Sequence, residues 1–484
     1  MKFISEKFIQ KTFWLFLFIG IALRFYVQFI HPTFNVDEVA LSKNLKYLTY
    51  TKLLYPLNGF QSAPPLYLWI QKTIITLSPF DFYISSKLLS FCSSIAVLFL
   101  FNDLIKKQRV LVRLLLLSIL LFNPYIIYHT LTIKQYTIDL LITLILILSF
   151  EKSVFMRYSW IFFAVWCLLS NIGLFAISGY LIYLFLKNCF PFKSFKIIPF
   201  LRANGLVILA PIPYLSYYLW FSRQSGAIEL KNFMLNYWSI NFISMDSQFF
   251  RHVAAIAYEI WVSVFCAVDL WGFFLMLLTL ALLYFVIKKQ VFAFKQELLL
   301  LSCMFIVHVI FNVLRLYPLA DRLILYVTPL FLLALGASIT LLMELDGFKR
   351  FSNAMLLIIS TITIGFYSLY FPFKENDVIG LFDKVCRIDK GSNPIYVTYK
   401  ASHIIKSFNR ITDNKFIEIQ KRPLLEIDSN LNQSKYLISK THKYLRYDKK
   451  PLEDSTIKKL IFDKKLIKID SVDGYTIYKI PTKK

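Results

Sequence analysis

Eleven apolar stretches, most of them long enough to cross a bilayer, limit what this chain can fold into more than any other feature. The hydrocarbon core of a bilayer is crossed by roughly 20 apolar residues of helix, whose backbone polar groups pair with one another. With 57% hydrophobic and only 17% charged residues among 484, the composition fits an integral membrane protein and not a soluble globule. The stretch 255–287 exceeds one straight span and predicts an additional interfacial turn. The predicted spans are 12–30, 82–102, 110–128, 131–150, 158–170, 172–189, 198–220, 255–287, 297–314, 322–343 and 353–371.

Basic residues in the loops predict the orientation of these spans. With the N-terminus on the cytoplasmic side, the inside segments hold about eighteen Lys and Arg residues and the longer outside segments about nine, as the positive-inside rule requires. The N-terminal sequence MKFISEKFIQK leads into the first span without a small-residue cleavage site, which indicates a retained signal anchor. An odd number of spans then places residues 374–484, the tail, outside the cytoplasm.

The charge balance narrows the classes of partner. The chain carries 54 basic and 29 acidic residues, a net charge of +25. Most aromatic residues lie in apolar spans and not on a basic surface, so we expect no nucleic-acid partner. Anionic membrane lipids or a phosphate-bearing substrate explain the charge better. No CxxC motif or Cys/His cluster predicts a metal or redox centre.

Two regions outside the spans have helical or strand patterns. The first outside loop, 31–81, contains DEVALSKNLKYLTY and SAPPLYLWIQKTIITL, which predict two helices along the membrane surface, the second starting at Pro64 and Pro65. The tail alternates between patterns: NPIYVTYK, KYLISK and GYTIYKI predict strands, whereas ASHIIKSFNRI and STIKKLIFDKKL predict helices. We therefore predict a membrane domain, 1–373, and a small soluble α/β domain, 374–484.

Asp37 and Glu38 stand side by side about ten residues after the first span. Acidic residues are scarce in the membrane domain. Residues 1–373 hold 15 of the 29, and the much shorter tail holds the other 14. A carboxylate beside a membrane-surface helix is able to deprotonate an acceptor hydroxyl, which makes this pair a candidate for general-base chemistry. The alternative is a helix N-cap or a solvated acidic turn.

Cationic candidates follow in two later segments. Lys134 stands at the outer start of the fourth predicted span, close to Gln135, Tyr136 and Asp139, and an intramembrane acid such as Asp139 is a functional hypothesis by default. Arg315 and Arg322 crowd the outer end of the tenth span. Arginine suits phosphate because its planar fork donates two bonds to one anion. Snorkelling of Lys134 and interfacial anchoring by the arginines are the alternatives.

Two histidines leave a metal possible. His31 and His129 both lie near the outer ends of predicted spans, where either one together with Asp37 or Glu38 has the donor types of a divalent-metal site. They lack HxxH-type spacing, so hydrogen-bonded interfacial histidines are the competing interpretation. We expect no cofactor.

Four segments together resemble the multi-span, lipid-phosphate-sugar-dependent glycosyltransferases of fold class C (GT-C). The resemblance is to the bacterial branch related to protein O-mannosyltransferases and lipid A aminoarabinose transferases, over roughly residues 10–345. It is carried by the order and predicted side of the four segments; no single motif is specific. The segments are NVDEVALSKNL, QSAPPLYLWIQK, NPYIIYHTLTIKQYTIDLL and PLADRLILYVTPLFLLALG.

The resemblance implies a GT-C-like α-helical fold with about eleven spans and a cavity at the outer face of a bacterial cytoplasmic membrane. There a polyprenyl-phosphate sugar would meet a lipid, glycan or protein hydroxyl and be transferred with inversion. In this family the first-loop carboxylate is the base, which maps to Asp37 with Glu38 beside it. Lipid phosphate would be bound by Lys134, Arg322 and Arg315. The implied substrate pocket comprises Gln61, Pro65, Tyr67, Tyr136, Asp139 and Tyr317.

Two departures from the family pattern concern this site. Many relatives have an arginine–tyrosine pair where this chain has Lys134-Gln135-Tyr136, and a histidine–proline–proline motif where it has Ala63-Pro64-Pro65. Lysine still neutralises phosphate, but with different geometry.

Two other classes of function remain open at this stage. A lipid-linked-glycan flippase or other transporter predicts paired charges near the bilayer midplane and often repeat symmetry, neither of which the sequence displays. A membrane-anchored assembly protein acting through its tail would leave Asp37, Lys134 and Arg322 without a shared purpose. Convergence of these three positions on one outer cavity distinguishes the transferase from both.

Overall fold

A computed structural model describes residues 6–30, 36–189, 197–265, 295–344 and 352–369, together with five strands of the tail. Apart from those strands, the described chain is helical, with short loops between helices. The helices are α1 Glu6–Phe25, α2 Val36–Tyr47, α3 Pro65–Leu77, α4 Phe82–Leu104, α5 Val110–Phe122, α6 Pro124–Thr130, α7 Tyr136–Ser149, α8 Ser153–Leu169, α9 Gly173–Cys189, α10 Ile197–Leu209, α11 Ile212–Ser222, α12 Ser225–Tyr237, α13 Phe249–Phe265, α14 Lys295–Val313, α15 Thr328–Glu344 and α16 Ser352–Leu369.

All eleven predicted spans overlap described helices. By length and composition, four stretches of the described chain suffice to cross a membrane, and the bent pair α10–α11 makes a fifth if it is one span. Shorter apolar helices, α5, α7, α8, α9 and most of α16, accompany them. The number of spans therefore stays a prediction, whereas a helical chain with several candidate spans is confirmed. The four stretches are Gln10–Phe29, Phe82–Leu104, Lys295–Val313 and Arg322–Leu341.

Helix α5 lies at the centre of the packing. Its leucine-rich sequence VLVRLLLLSILLF is buried on nearly every side, as expected for a helix that is apolar all round. Helices α1, α15 and α16 pack on it. Arg24 of α1, itself buried, donates hydrogen bonds to the carbonyls of Leu120 and Leu121 near the end of α5. A helix end leaves such carbonyls without intrahelical partners, so this arginine caps α5.

A glycine lets α9 approach α14 closely. A Cβ at Gly179 would lie 2.6 Å from the backbone nitrogen and Cα of Met304, a distance that no side chain tolerates. Small residues allow helices to pack at short distance in membrane proteins, where close van der Waals contact drives association.

The two helices predicted in the segment 31–81 are present in its described part. The two expected helices are α2 and α3, and Pro65 is the first residue of α3 after Pro64. The side chain of Asn44 in α2 fixes the loop between these helices, because it donates to the carbonyl of Asn58 and accepts from the N–H of Asn58. The second outside loop contains helix α12, which the polar and aromatic sequence of 221–254 did not predict.

The described part of the tail is a five-stranded mixed sheet of order β2-β1-β3-β5-β4. Strands β1, β3 and β5 confirm the three predicted strands, whereas β2 and β4 were not predicted. The two predicted tail helices lie outside the described residues. The strands are β1 Ile395–Val397, β2 Ile419–Lys421, β3 Tyr436–Lys440, β4 Ile467–Val472 and β5 Tyr475–Lys479.

Candidate active site

The two neighbouring carboxylates at the start of α2 have different surroundings. The Asp37 side chain is 37% exposed, and its Oδ2 accepts a charge-assisted hydrogen bond from the Arg322 guanidinium. The Glu38 side chain is only 1% exposed and forms a salt bridge with Lys87, whose ammonium lies 3.1 Å from Glu38 Oε1. Adjacent acids of one helix therefore reach two different cations, one at the surface of the site and one buried.

Arg322 comes to Asp37 from a part of the chain 285 residues away. It is the second residue of a 3-10 helix, Asp321–Val327, that precedes α15. Buried His308 of α14 contacts the chain before this helix and within it. Its Nε2 lies 3.2 Å from the Pro318 carbonyl and its Nδ1 2.9 Å from the Tyr326 hydroxyl. The guanidinium also lies over the ring of Tyr136, 5.8 Å from its centroid.

Lys134 lies in a break between two helices. The fourth span was predicted from residue 131, but α6 ends at Thr130 and α7 begins at Tyr136. The helix is interrupted because the Ile133 N–H donates to Glu38 Oε1 at 2.9 Å and not to a carbonyl of the preceding turn. Lys134 and Gln135 therefore precede α7, which corrects the expectation that both share a helix with Asp139.

The Lys134 ammonium is held by an uncharged partner. It donates to Gln61 Oε1 at 2.6 Å, and both residues are buried. Among the described residues, no carboxylate lies within salt-bridge distance of this ammonium. Asp37, Glu38 and Arg322 all lie within electrostatic reach of this ammonium. The segments holding Asp37, Lys134 and Arg322 thus place their charges within electrostatic reach of one another.

Five residues, Asp37, Glu38, Lys87, Lys134 and Arg322, make up what we call the charged cluster. Four of its members, Asp37, Glu38, Lys134 and Arg322, were predicted as site residues, and they lie within electrostatic reach of one another in the structure. Lys87, in α4, was not singled out from the sequence. A buried lysine in an apolar span is itself a signal for a functional partner, and Lys87 also has buried serines around it at Ser86, Ser90 and Ser94.

The predicted pocket residues lie on α3 and α7 and, for Gln61 and Tyr317, in the loops before α3 and after α14. Pro65 and Tyr67 are buried in the first turn of α3, and Tyr67 is within electrostatic reach of Tyr136, Glu38 and Asp139. Asp139, 3% exposed, lies near the start of α7. Tyr317 packs on Phe175, with 5.4 Å between ring centroids, and is also within electrostatic reach of Tyr136 and Asp139.

Arg315 is the predicted residue that the described contacts do not join to the cluster. It is exposed and donates to Ser244 Oγ at 3.4 Å. Its φ of 56° lies in the left-handed region, an uncommon conformation for a non-glycine residue. The contacts of Arg315 thus connect the end of α14 to the second outside loop.

His129 is buried at the end of α6. Its ring packs on Tyr125 and Tyr128, with centroid distances of 4.3 and 4.9 Å. Arg322 lies within electrostatic reach of this ring. No group of three potential metal ligands occurs in the described part of the chain, from which His31 is missing.

Of the comparisons with known proteins, the one with solved structures finds similar folds. No protein-family model matches the sequence. No curated protein matches it either. The structure aligns with the crystal structure of ArnT from Cupriavidus metallidurans in the apo state, with a TM-score of 0.50 and 11% identity, over 98% of this chain and 99% of that chain. The structure of the same protein bound to undecaprenyl phosphate aligns with a TM-score of 0.49 and 11% identity, over 96% and 97%.

The alignment with apo ArnT confirms the resemblance inferred from the four sequence segments. It extends over nearly the full length of both chains, and at 11% identity it concerns the fold alone. This chain is a mostly helical protein with the fold of ArnT, a GT-C lipid A aminoarabinose transferase.

Proposed function

We propose that this chain is a glycosyltransferase that moves a sugar from a polyprenyl-phosphate donor to a hydroxyl acceptor, at the outer face of the bacterial cytoplasmic membrane. The observation that carries the proposal is the convergence of Asp37, Lys134 and Arg322, which come from three distant segments. The ArnT-like fold supports the proposal, because a lipid-sugar-dependent transferase is known to use that fold.

Lys134 and Arg322 have the properties of a phosphate-binding pair. The Lys134 ammonium donates to the neutral oxygen of Gln61. An arriving anion therefore interacts with the full positive charge of the ammonium and does not have to displace a carboxylate. Arg322 is 14% exposed in its side chain, and a guanidinium donates in a planar fork that fits phosphate oxygens. Both cations would stabilise the negative charge that grows on the leaving phosphate, which is the type of contribution that dominates many enzymatic reactions.

Asp37 is the better general base of the two carboxylates. Its side chain is 37% exposed, whereas that of Glu38 is 1% exposed and bound to Lys87. In the proposed step the acceptor oxygen attacks the anomeric carbon from the face opposite the phosphate. The bond from this carbon to the phosphate oxygen breaks, its electron pair leaves with polyprenyl phosphate, and the acceptor proton passes to Asp37. The configuration at the anomeric carbon inverts.

The surrounding residues complete the proposed site. Gln61, Pro65, Tyr67, Tyr136, Asp139 and Tyr317 form the substrate pocket, and Arg315 meets the donor from the outer rim. In the same proposal the membrane domain, 1–373, has about eleven spans and carries the reaction. The tail, 374–484, is extracytoplasmic.

Mass spectrometry of the lipid donor tests the proposed reaction. The full-length protein in nanodiscs is incubated with a panel of polyprenyl-phosphate sugars and with membrane extracts as acceptor. We expect one donor to be consumed, free polyprenyl phosphate to appear and the sugar to reach a new acceptor. The variant Asp103→Asn, at an exposed acid of α4 far along the helix from Lys87, serves as the matched control for variants of the charged cluster.

Two outcomes would contradict the proposal. Donor that crosses the bilayer with its sugar still attached would indicate the transporter. If no donor of the panel is consumed and no polyprenyl phosphate binds, the transferase assignment fails and the tail becomes the better candidate for the active region.

A further inference from the structure

Glu38 Oε1 accepts from two donors that belong to different segments. The Lys87 ammonium of α4 lies at 3.1 Å and the Ile133 backbone N–H at 2.9 Å. The side chains of Lys87 and Glu38 are 4% and 1% exposed, so both charges are removed from solvent. One buried oxygen therefore connects a cation of α4 to the peptide group directly before Lys134.

Helix α4 also binds the backbone of this break through a second residue. Ser90, one turn after Lys87, donates from its hydroxyl to the Thr132 carbonyl at 2.6 Å. In a continuous helix the Ile133 N–H would donate to the His129 carbonyl, which instead accepts from the Thr132 hydroxyl at 2.9 Å. A non-helical backbone at membrane depth persists only where other groups of the protein satisfy it. Here Ser90 and Glu38 supply those groups.

We propose that Lys87 and Glu38 are a positioning pair that holds the break between α6 and α7 in the shape that presents Lys134 to the donor phosphate. The inference rests on the proposed function and assigns Glu38 a role different from that of the base. Glu38 supplies the acceptor for the Ile133 N–H, and Lys87 orients the buried carboxylate.

Buried ion pairs respond differently to single and double substitution. Removing one partner leaves an uncompensated buried charge, whereas removing both charges often costs little. Lys87→Met leaves the Glu38 carboxylate to attract the nearby Lys134 ammonium away from Gln61. Glu38→Gln takes the carboxylate away from the buried Lys87 ammonium. The double variant K87M/E38Q removes both charges, and the amide oxygen of the introduced glutamine still accepts from the Ile133 N–H.

Binding of undecaprenyl phosphate, measured as a function of pH on full-length protein in nanodiscs, tests the pair. Lys134 faces Asp37 and Glu38 of α2, Gln61 of the first outside loop and Arg322 of the 3-10 helix. We expect each single variant to bind roughly tenfold more weakly at pH 7, a typical size for coupling inside one charged network. The pH midpoint of binding should move upward in Lys87→Met and downward in Glu38→Gln, because the first change removes a positive charge from the cluster and the second removes a negative one.

The double variant should return to within about threefold of the parent affinity, since it restores neutrality. Lys106→Met breaks the exposed Lys106–Asp103 pair at the other end of α4 and should leave binding unchanged. A loss of helix packing alone would weaken binding without moving the midpoint in opposite directions.

The results separate this inference from the proposed function. If the parent binds undecaprenyl phosphate and both single variants match its affinity and midpoint, the positioning role is wrong and the transferase proposal stands. If the parent neither binds undecaprenyl phosphate nor consumes a donor, the proposed function fails. If a single variant does not fold, the double variant decides. A folded double variant with near-parent binding supports the pair, and one that binds more than about tenfold weaker overturns it.

Discussion

The charged cluster and the ion pairs at the predicted cytoplasmic ends of the helices use the same residue types in opposite surroundings. The pairs Lys106–Asp103 and Lys187–Glu151 have N–O distances of 2.7 and 2.8 Å, and all four side chains are about half exposed. In the cluster, the Lys87 and Glu38 side chains are almost fully buried. Distance alone therefore does not distinguish the two regions; burial does.

The difference shows what each region contributes. Exposed pairs stabilise a protein by about 0–1 kcal/mol, because water screens them. Buried charges cost several kcal/mol each in lost hydration, and a pair seldom recovers more than this, so stability alone does not explain the cluster. The proposed function explains it better, because it requires cations that bind an anion and a carboxylate that accepts a proton.

The largest effect is expected at the proposed base. Asp37→Asn keeps the shape of the side chain but removes its basicity, so turnover should fall by about 10²–10⁴-fold, while binding of undecaprenyl phosphate persists. Asp103→Asn, in an exposed pair, should retain parent activity. Donor consumption followed by mass spectrometry measures both. A D37N protein that consumed donor at the parent rate would remove Asp37 from the reaction.

Arg322→Met should have the next largest effect. It removes the guanidinium that pairs with Asp37 and that we propose to stabilise the leaving phosphate, and loss of one such donor typically lowers kcat by about 10²–10³-fold. Arg109→Met, at an exposed arginine before α5, is the matched control. Single-turnover kinetics with saturating donor provides the measurement. Equal losses in the two variants would indicate a general effect of lost positive charge.

Lys134→Met should weaken donor binding more than it slows the chemical step. A hydrogen bond to a charged group contributes about 1.5–3 kcal/mol, so the Kd for undecaprenyl phosphate should rise roughly 10–100-fold. Lys106→Met should leave the Kd unchanged. The two measurements are equilibrium binding of undecaprenyl phosphate in nanodiscs, for donor affinity, and the KM for one fixed acceptor, for acceptor affinity. Equal losses of donor and acceptor affinity would argue against a phosphate contact.

The pH dependence of binding tests whether Lys134 supplies positive charge to the phosphate. A lysine loses its charge when it is deprotonated, so affinity for undecaprenyl phosphate should fall as pH rises through the titration of Lys134.

Lys134→Arg is the control for this titration. Arginine stays charged throughout the range, so the fall in affinity at high pH should disappear while the titration of the phosphate itself remains. A fall that persists in the arginine variant would assign the titration to a different group.

The smallest effect is expected at Gln61. Gln61→Leu removes the neutral acceptor that orients the Lys134 ammonium, a hydrogen bond of about 0.5–1.5 kcal/mol, so donor affinity should fall about two- to tenfold. Gln224→Leu, at a partly exposed amide before α12 that donates to the Trp220 carbonyl, is a matched control. A Gln61 variant as weak as Lys134→Met would mean that the amide itself contacts the donor.

Much of the fold was predictable because apolar stretches and helix-start signals are local. Span positions follow from the length of apolar sequence, and the start of α3 follows from Pro64 and Pro65. Strand β2 spans only three residues, Ile419–Lys421, too few for a period of two to appear. The break before Tyr136 was missed because its cause, the Glu38 carboxylate, lies 95 residues away in sequence.

The site was predictable in part for a related reason. Asp37, Lys134 and Arg322 stood out as charges near the predicted outer ends of spans, and the shared order of four segments suggested one cavity. Lys87 did not stand out, since a single lysine near the start of a span is often explained by snorkelling. Only the packing of α2 against α4 reveals that Lys87 is buried on Glu38.

A structure of the full-length protein with undecaprenyl phosphate, determined by cryo-electron microscopy in nanodiscs, tests the account most directly. We expect the phosphate between the Lys134 ammonium and the Arg322 guanidinium, within hydrogen-bond distance of both, and the Asp37 carboxylate facing the space beside it. A phosphate bound on the tail, with Lys134 still donating to Gln61 and no lipid near Arg322, would contradict the account.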